Sequence, residues 1–591
     1  MYSAVAVLDE ERKKKSITRD AVTRGICSQQ FLFKGKYDNS DIDMFMFEVL
    51  FERIGCCTDD MECILSEEAY NMIEARDMIE RNILLGHVKE AEEGIDDYMQ
   101  HFKEDNRIQR MYCYRSKAYM LLRNGQSNED YDQARDMIVM AIRETLPGIN
   151  EDNYKEYLFS TYEIENILAY IKSICLLGKR KKAAELLARV YEYSSEIFID
   201  RSLRARVLPK CAYLMSEYCV DIIQYDRLKF YLEEGLNCLR SEGILYLMLP
   251  LVNNIITIYE KHDEHEKAVC WEQYGKLLTE LFTEYKCEIP QDSLFYRWKV
   301  ASYHLDYEII KGERLGQGLS QEELANDIYS NTASISNIEN GKTSPNKSKY
   351  MRIMSKLSLE RPRIGGFVLT NSYEQLQDIC KVRELLSQDN IDEAMDYAKK
   401  LNDCGEEAKP LLEAYMTIAE LFAKRECEEK YLDNIKTCIE KTYSLSREQY
   451  IRKPFMYEYD IMIAYFEALR KIDPDTVAEM LEKVIDTYRK TRVNTIYNYK
   501  VFSPLLLQLI RYNRNPRMDY YSELMRLGML CGKGTFLTGV YWIKGWLPKY
   551  TDNSEAKREL LYRSYMFAKL YLSKSAEVKK CYYEELEKLS M

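Results

Sequence analysis

Apolar positions recur along most of the chain at the spacing of amphipathic helices. One such run lies in residues 68–102, where the apolar positions are Tyr70, Ile73, Met78, Ile79, Ile83 and Leu84. This spacing lines one face of a helix, whereas a half-buried strand shows strict alternation. Only 12 prolines and 23 glycines occur in 591 residues, which favours long helices over turn-rich sheets. The pattern predicts an all-α protein.

A turn signal follows this run and recurs along the chain. Gly86 is followed five residues later by Ala91, and Gly178 is followed in the same way by Ala183. Glycine suits a sharp turn, and a small alanine lets two helices approach closely. Looser versions occur at 261–268, 387–394 and 471–480. Helix pairs of this tetratricopeptide-like kind stack into an α-solenoid with a concave face.

Residues 319–345 carry a different pattern, which begins with a short capped helix. Ser320 stands just before an apolar periodic run, and Glu323 follows three residues later. This is the arrangement of a capping box, in which each residue satisfies a backbone N–H at the start of the helix. Ile328 completes the apolar face of the helix, and residues 329–331 are predicted to form a short turn.

A second short helix is predicted over residues 332–339. Ile335 and Ile338 face inward at helical spacing, and Asn340-Gly341 ends the helix because both residues tolerate the left-handed conformation. Two helices joined by a three- or four-residue turn form the helix-turn-helix geometry, which places the second helix in the major groove of DNA. This segment therefore predicts DNA binding.

The chain also matches itself at a nearly constant separation. Residues 17–28 align with 319–330 at 302 residues, and beyond the turn the separation becomes 303, where Tyr70 meets Tyr373 and Ala91 meets Ala394. We interpret this as a tandem duplication. The predicted fold is all-α with two tandem units, each a helix-turn-helix head followed by a tetratricopeptide-like α-solenoid. The predicted domains are 1–58, 59–303, 304–360 and 361–591.

The first head is predicted to be degenerate. In place of Ile338–Gly341 it carries Gly35-Lys36-Tyr37-Asp38, so a glycine replaces the apolar residue that would hold the recognition helix against its core. Thr18 can still cap a helix, and Leu32 can still pack inward. The lysines at 13, 14, 15, 34 and 36 could contact DNA phosphate, although a solvated basic face is the favoured interpretation.

Residues 319–341 resemble the XRE family, the phage Cro and repressor type of helix-turn-helix, including the closing Ile-Glu-Asn-Gly-Lys at 338–342. A head of this type followed by helical repeats resembles the Rgg and PlcR peptide-pheromone regulators. That resemblance implies a concave face that binds a short imported peptide and an array that forms a dimer interface. It covers the chain in architecture, but at the level of residues only in the helix-turn-helix.

The candidate DNA-binding residues follow from their positions in the motif. Gln321 begins the first helix of the pair and can bond a phosphate or a base edge. Thr332, Ala333 and Asn337 occupy the outward positions of the recognition helix, where Asn can bridge adenine and Ala or a Thr methyl can touch the thymine methyl. The set lacks arginine, which favours A·T-rich sites. The predicted phosphate contacts, together with Ser334 and Ser336, are Asn331, Asn340 and Lys342.

Four asparagines in the helical regions are candidate peptide-binding residues. An asparagine on a concave face can bond both the N–H and the C=O of an extended peptide. The alternative, a bond to a neighbouring helix, is the favoured interpretation of each. These residues are Asn253 and Asn254 in the first half and Asn494 and Asn498 in the second.

Bulk properties exclude several other classes. The net charge of −12 argues against nonspecific coating of nucleic acid, but residues 311–356 carry seven basic and five acidic side chains, a local excess of two positive charges. Seventeen irregularly spaced cysteines and the start of the chain favour a reduced, cytoplasmic protein. The longest apolar run, 244–256, is too short and too interrupted to span a bilayer, so no membrane partner is expected.

No chemistry of another kind is predicted. His262, His265 and Cys270 lie close in sequence, but a solvated turn is favoured over a metal site. Gly312–Gly318 lacks the context of a phosphate loop, and no catalytic constellation is present. We therefore expect no enzyme activity, metal or cofactor.

Two functions remain open. The first is a sequence-specific transcriptional regulator whose helical repeats sense a peptide or protein partner, with double-stranded DNA as ligand and a homodimer as a further expectation. The alternative is a helical-repeat interaction scaffold whose two heads are vestigial and bind no DNA.

Overall fold

In the computed structural model, the structure describes residues 2–30, 43–102, 105–288, 293–298, 302–357, 365–368, 372–387, 390–401, 409–424, 474–512, 519–547 and 554–572, with a few single positions besides. Helices dominate this part of the chain, which confirms the predicted all-α class. Leu32 and the segment 35–38, on which the degeneracy of the first head was predicted, lie outside the described residues.

The first head (residues 2–58) begins with a two-residue strand and continues as short helices. Thr18 caps the second helix as predicted, accepting from the N–H of Ala21 at 3.1 Å. Asp43 caps the third helix by accepting from Phe45 and Met46. The elements are β1 (Tyr2–Ser3), α1 (Ala4–Lys14), α2 (Arg19–Thr23) and α3 (Met44–Arg53).

The first array (residues 66–288) is a succession of helices, each packed against the next. The turn glycines Gly86 and Gly178 have φ of 77° and 79°, and Ala91 and Ala183 are fully buried, which confirms the turn pattern. The helices are α4 (Glu67–Leu85), α5 (Val88–Met99), α6 (Arg107–Asn124), α7 (Asn128–Thr145), α8 (Thr161–Leu176), α9 (Arg180–Ile197), α10 (Arg201–Tyr218), α11 (Tyr225–Ser241), α12 (Met248–Lys261) and α13 (His265–Glu284), with a 3₁₀ turn at Tyr154–Glu156.

The second head (residues 302–357) and the second array (residues 372–572) follow. The predicted buried Ala394 is 1% exposed. The head contains β3 (Ser302–Leu305), α14 (Asp306–Gly316), α15 (Gln321–Ala325), α16 (Thr332–Glu339) and α17 (Lys347–Lys356). The next elements are β4 (Gly365–Val368), α18 (Tyr373–Ser387), α19 (Ile391–Lys400), α20 (Lys409–Lys424), α21 (Pro474–Lys490), a 3₁₀ turn at Thr495–Asn498, α22 (Tyr499–Tyr512), α23 (Tyr520–Cys531), α24 (Leu537–Trp546) and α25 (Ser554–Leu570).

A small four-stranded sheet joins the two halves and was not predicted from the sequence. Its strand order is β1-β4-β2-β3, where β2 (Glu62–Leu65) follows the first head and is parallel to β3 and antiparallel to β4. The strand β2 is buried at all four positions. Strands of two to four residues are too short to show a hydrophobic period, and their partners lie some 240 to 360 residues away in the chain.

Each head shares its core with the other half of the chain. Tyr373 and Leu376 of α18 pack into the core of the first head, beside Phe51. Ile64 of β2 packs into the core of the second head, beside Ile310. Neither head is therefore an independently packed domain, because removing either one would expose apolar surface of the opposite half.

Buried charges fix the first head to its array. Glu52 of α3 accepts from Arg206 at 2.8 Å and from Arg297 at 3.1 Å. Arg297 also donates to Glu165 at 3.1 Å, which accepts from Arg115 at 2.8 Å. Buried charges are tolerated where each is paired and hydrogen-bonded. Arg297 belongs to the segment 293–298, so this cluster also holds the connection toward the second head.

Arg53, the last residue of α3, makes a second buried attachment. Its guanidinium donates to Glu163 of α8 at 3.0 Å and to the carbonyl of Thr145 at 3.0 Å. It also donates to the carbonyls of Val22 and Arg24 at the end of α2. The planar fork of arginine allows one side chain to reach the first head and the first array together.

We expect the Glu163→Gln variant to lose about 3–5 kcal/mol of unfolding free energy, because it leaves the Arg53 charge buried without its carboxylate. Urea unfolding followed by circular dichroism measures the loss. The control is Asp132→Asn, which removes the partly exposed ion pair with Arg135 and should cost about 1 kcal/mol or less. Equal effects of the two substitutions would contradict the attachment.

A second prediction concerns pH. Burial raises the pKa of Asp200 to about 6, although the hydroxyl of Tyr373 donates to it at 2.6 Å. The unfolded value is about 3.9, so the folded protein binds the extra proton and its stability falls as pH rises from about 4 to about 6. In Asp200→Asn this loss should be smaller by on the order of 2 kcal/mol. Urea unfolding at pH 4 and pH 7 tests it, and an unchanged difference between the proteins would contradict it.

Candidate DNA-binding site

The first helix of the motif begins as predicted. The N–H of Glu323 donates to the Ser320 hydroxyl at 3.0 Å, and the N–H of Ser320 donates to the Glu323 carboxylate at 2.6 Å. The hydrogen bond from the Ser320 backbone holds the pKa of Glu323 below its ordinary value. The helix is shorter than predicted, because it ends at Ala325 and Asp327 has a φ of 62°.

The turn between the two helices is correspondingly longer than residues 329–331. Ile328 is buried as predicted, but it packs inward from the turn and not from the helix. Two basic residues of α17 close over this turn. Lys356 donates to the carbonyl of Asn326 at 2.7 Å, and Arg352 donates to that of Asp327. This bracing was not predicted, because local helix signals carry no information on contacts between residues that are 25 or 30 positions apart.

The recognition helix has the predicted bounds, Thr332–Glu339. Asn331 caps it by accepting from the N–H of Ser334 at 3.1 Å. At the other end Gly341 has a φ of 68°, and the N–H of Lys342 donates to the carbonyl of Asn337 at 2.9 Å. This bond across a left-handed glycine satisfies a carbonyl that the helix end leaves without a partner.

The two faces of the recognition helix divide as the motif requires. Ile335 and Ile338 are at most 2% exposed and belong to the apolar core of the second head. The opposite face, formed by Thr332, Ala333 and Asn337, is exposed. The buried apolar residues hold the helix against the core of the second head, and the exposed face has the composition and exposure that a helix needs to enter the major groove of DNA.

A buried ion pair that the sequence analysis missed positions the recognition helix. Arg314 of α14 donates to both carboxylate oxygens of Glu339, at 2.5 and 3.0 Å, and to the carbonyl of Leu319 at 2.6 Å. The two side chains are 9% and 1% exposed. Gln321 donates to the same carboxylate at 2.8 Å. One carboxylate therefore ties the first, second and third helices of the head together.

Aligning the first head with the second provides a sequence signal that could have revealed the Arg314–Glu339 pair. Arg12 stands 302 residues before Arg314 and donates to the carbonyl of Ile17 at 2.6 Å, as Arg314 does to Leu319. The position that matches Glu339 is Lys36. A lysine cannot accept a hydrogen bond from arginine, so the arginine is kept in the first head while its acceptor is lost.

The predicted DNA-binding residues differ in exposure. Thr332, Ala333, Asn337, Asn331, Asn340 and Lys342 are exposed, and Gln321 is half-buried. Three of the predicted residues also have structural tasks, since Gln321 donates to Glu339, Asn331 caps the recognition helix and Asn340 donates to the carbonyl of Ser336 at 2.8 Å. Their contacts with DNA stay predictions.

The four candidate peptide-binding asparagines do not form one surface. Asn498 is 1% exposed and accepts from the Ser302 hydroxyl at 3.3 Å, so the expectation that it lies on an open face does not hold. Asn254 donates to Ser216 at 2.8 Å. Asn494 is exposed, but its side chain caps the 3₁₀ turn that follows it. A bond to a neighbouring helix, the favoured interpretation, describes Asn254, since Ser216 belongs to α10. Asn498 instead meets a strand residue, Asn494 caps its own turn, and Asn253 is exposed.

A cavity lies at the junction of the first head, the first array and the 3₁₀ turn of the second array. Its volume is about 120 Å³, and its lining includes Glu48, Arg76, Asp77, Trp298 and Tyr497. Sites for drug-sized ligands usually measure about 300–1,000 Å³. This cavity is therefore too small for a peptide in the described conformation.

Two further expectations concern absences. In the described ranges, no group of three or more His, Cys, Asp or Glu side chains is arranged to hold a metal ion. His262 instead stacks on Tyr225, with ring centres 3.7 Å apart. No helix that the structure describes combines the length and the apolarity needed to cross a membrane.

Comparison with known proteins identifies the type of domain that the second head forms. Residues 310–361 match the family model described as helix-turn-helix, so the second head is a helix-turn-helix domain. No curated protein matches the chain. PlcR of Bacillus thuringiensis, solved with the peptide PapR7 and DNA, is similar at 14% identity over 46% of this chain and 98% of its own, with a TM-score of 0.29. ComR of S. thermophilus, solved with DNA and its signalling peptide ComS, is 14% identical over 47% and 99%, with a TM-score of 0.27. The pheromone receptor Rgg2 of Streptococcus dysgalactiae is 15% identical over 48% and 97%, with a TM-score of 0.22.

We expect Glu339→Ala to loosen the second head alone. The variant leaves Arg314 buried without its carboxylate, and such a loss costs about 3–5 kcal/mol. Hydrogen exchange of the amides of Leu324 and Ile338 should accelerate by more than a hundredfold, while those of the first array stay unchanged. Glu322→Ala, at an exposed position of α15, serves as the control and should change exchange by less than about threefold. Unchanged protection in Glu339→Ala would show that the ion pair does not hold the helix.

Proposed function

We propose that the protein is a sequence-specific DNA-binding transcriptional regulator in which the second head reads the DNA. The observation that carries this proposal is the exposed face of α16, held in place by the buried Arg314–Glu339 pair. A rigidly supported helix loses little conformational freedom on binding, and a site built on such an element holds its geometry. In this proposal the protein has no enzyme activity and acts in the cytoplasm.

Base reading falls to Thr332, Ala333 and Asn337 of α16 and to Gln321. Glu339 accepts one N–H of the Gln321 amide, which leaves the amide oxygen and the second N–H for a base edge. Together with Asn337 this supplies two amides, the groups that bridge adenine, and Ala333 can touch a thymine methyl. The set favours A·T base pairs.

Phosphate contacts supply affinity without specificity. Lys342 is exposed just beyond the recognition helix, and Lys349 lies over the ring of Tyr329 at 4.3 Å on the same head. Arg352 and Lys356 are occupied with the turn carbonyls. Because Arg352 and Lys356 are engaged and the chain is acidic, we expect modest affinity for nonspecific DNA. We also expect the affinity for DNA to change little with salt concentration.

We further propose that the helical arrays bind a short peptide or a protein partner and thereby control the head. The support is the exposed surface of the first array around Asn253, since the junction cavity is too small for a peptide. An extended segment would have to lie along a face of the array, where side-chain amides can bond its backbone.

The test uses the full-length protein and DNA fragments selected from a random pool at a fixed salt concentration. We expect Gln321→Ala and Asn337→Ala each to lower the affinity for the selected site by about 5- to 150-fold, the effect of one bidentate base contact of about 1–3 kcal/mol. Affinity for random DNA should stay unchanged.

The matched control is Gln126→Ala, which removes an exposed side-chain amide of the first array away from the proposed peptide surface and should leave DNA binding intact. Selection of no specific DNA by the parent protein would contradict the proposal and favour the helical-repeat scaffold with vestigial heads. Equal losses on selected and random DNA would show that these amides do not read bases.

A further inference from the structure

The sheet pairs corresponding residues of the two halves. Cys63 of β2 lies opposite Gly366 of β4, and these residues are 303 positions apart, the same separation that relates Tyr70 to Tyr373. Around them Glu62 lies opposite Phe367, and Ile64 lies opposite Gly365. Cys63 thus meets its own counterpart, Glu62 meets the counterpart of Ile64, and Ile64 meets the counterpart of Glu62. This exchange is the pattern of a local two-fold axis through the Cys63–Gly366 pair.

A second pairing of this kind lies far along the arrays. The N–H of Leu245 donates to the carbonyl of Gly532 at 2.9 Å, and the N–H of Gly534 donates to the carbonyl of Gly243 at 2.8 Å. Leu245 and Gly534 are 289 positions apart, and so are Gly243 and Gly532. The two hydrogen bonds are therefore the same contact made once in each direction, and the two glycines share positive φ values of 61° and 66°.

The helices around this second pairing follow the same rule. The helices α12 and α24 begin 289 positions apart, and α13 and α25 also begin 289 positions apart. The helices α13 and α25 pack against each other, with Arg563 of α25 donating to Glu284 of α13 at 3.0 Å. Corresponding helices meet each other, as they do in a two-fold symmetric dimer.

Two corresponding tyrosines also reach across the junction in opposite directions. The Tyr70 hydroxyl accepts from the N–H of Asn494 in the second array at 2.8 Å. The Tyr373 hydroxyl accepts from the N–H of Cys57 in the first half at 2.8 Å. Each half thus inserts the corresponding tyrosine into the other half, although the two N–H groups that the hydroxyls meet are not at corresponding positions.

The two heads do not share this symmetry in what they expose. The helices α3 and α17 begin 303 positions apart. Glu52 and Arg53 of α3 are fully buried in ion pairs with the first array, whereas the corresponding residues of α17, Ser355 and Lys356, face outward or brace the turn. The first head is held by its array on the face that the second head leaves open.

We propose that the chain is a covalent pseudo-dimer, whose two arrays close a two-fold interface within one polypeptide and whose second head alone reads DNA. Its DNA ligand is then a single asymmetric half-site and not an inverted repeat. This inference rests on the proposed function of the second head. A closed two-fold interface leaves no equivalent patch free for a second chain, and the inverted repeats of dimeric helix-turn-helix proteins mirror two working heads.

The DNA part is tested on the selected site with the full-length protein. Light scattering should give one chain per duplex, and hydroxyl-radical footprinting should show one protected stretch of about one helical turn. Two chains on an inverted repeat, with half-site centres about 10 base pairs or a multiple apart, would overturn the inference while supporting the proposed function. Absence of any specific DNA binding would instead sink the proposed function.

A matched pair of variants assigns the reading head. Gln321→Ala should lower affinity for the selected site by at least fivefold, whereas Arg19→Ala, 302 positions earlier in the first head, should leave it within twofold. Circular dichroism melting confirms that both variants are folded. A comparable loss in Arg19→Ala would overturn the assignment of reading to one head.

The internal interface is tested independently of DNA. Ile244 and Lys533 face each other in the second pairing, where a cysteine pair has the separation that a disulfide needs. The oxidised Ile244→Cys, Lys533→Cys protein should form a cross-link within one chain, seen as faster migration on a non-reducing gel, and each single variant controls for the 17 native cysteines. A covalent dimer would overturn the inference, and so would absence of any cross-link in a double variant whose melting matches the parent protein.

Discussion

Short strands leave backbone N–H and C=O groups that must find partners when they are buried. Here the strand that follows each head finds its partner in the other half of the chain, where β2 pairs with β4. Because each strand leads directly into the first helix of an array, this one pairing sets where both arrays begin. Ile64 then falls into the core of the second head and Tyr373 into that of the first. The heads, the arrays and the junction between them all follow from a contact of a few residues.

The same junction accounts for the different uses that we propose for the two similar heads. In the first head, α3 carries Glu52 and Arg53, and their charges are neutralised by partners in the first array. Removing one partner would leave a buried charge, so this head is held firmly. In the second head, the corresponding Lys356 donates to the turn, to the carbonyl of Asn326. The change from an arginine fork to a lysine at corresponding positions separates a docked head from one that presents its recognition helix.

Much of the candidate site could be predicted because it depends on local signals. The Ser320–Glu323 capping box, the bounds of the recognition helix and the left-handed Gly341 all follow from residues within four positions of each other. The longer turn before that helix was missed because Ile328 packs inward equally well from a helix or a turn. The Arg314–Glu339 pair was missed because its members are 25 residues apart, and Asn498 was misplaced because its partner, Ser302, lies 196 residues away.

Local patterns of residues were enough to predict the helical class, the turn glycines with their buried alanines, and the motif of the second head. These are local properties, fixed by hydrogen bonds and helix periodicity over a few residues. The pairing of the strands, the burial of Asn498 and the docking of the first head by ion pairs became apparent in the folded protein. Those outcomes depend on side chains that meet across hundreds of residues, and the energies of such contacts exist only once the chain has brought them together.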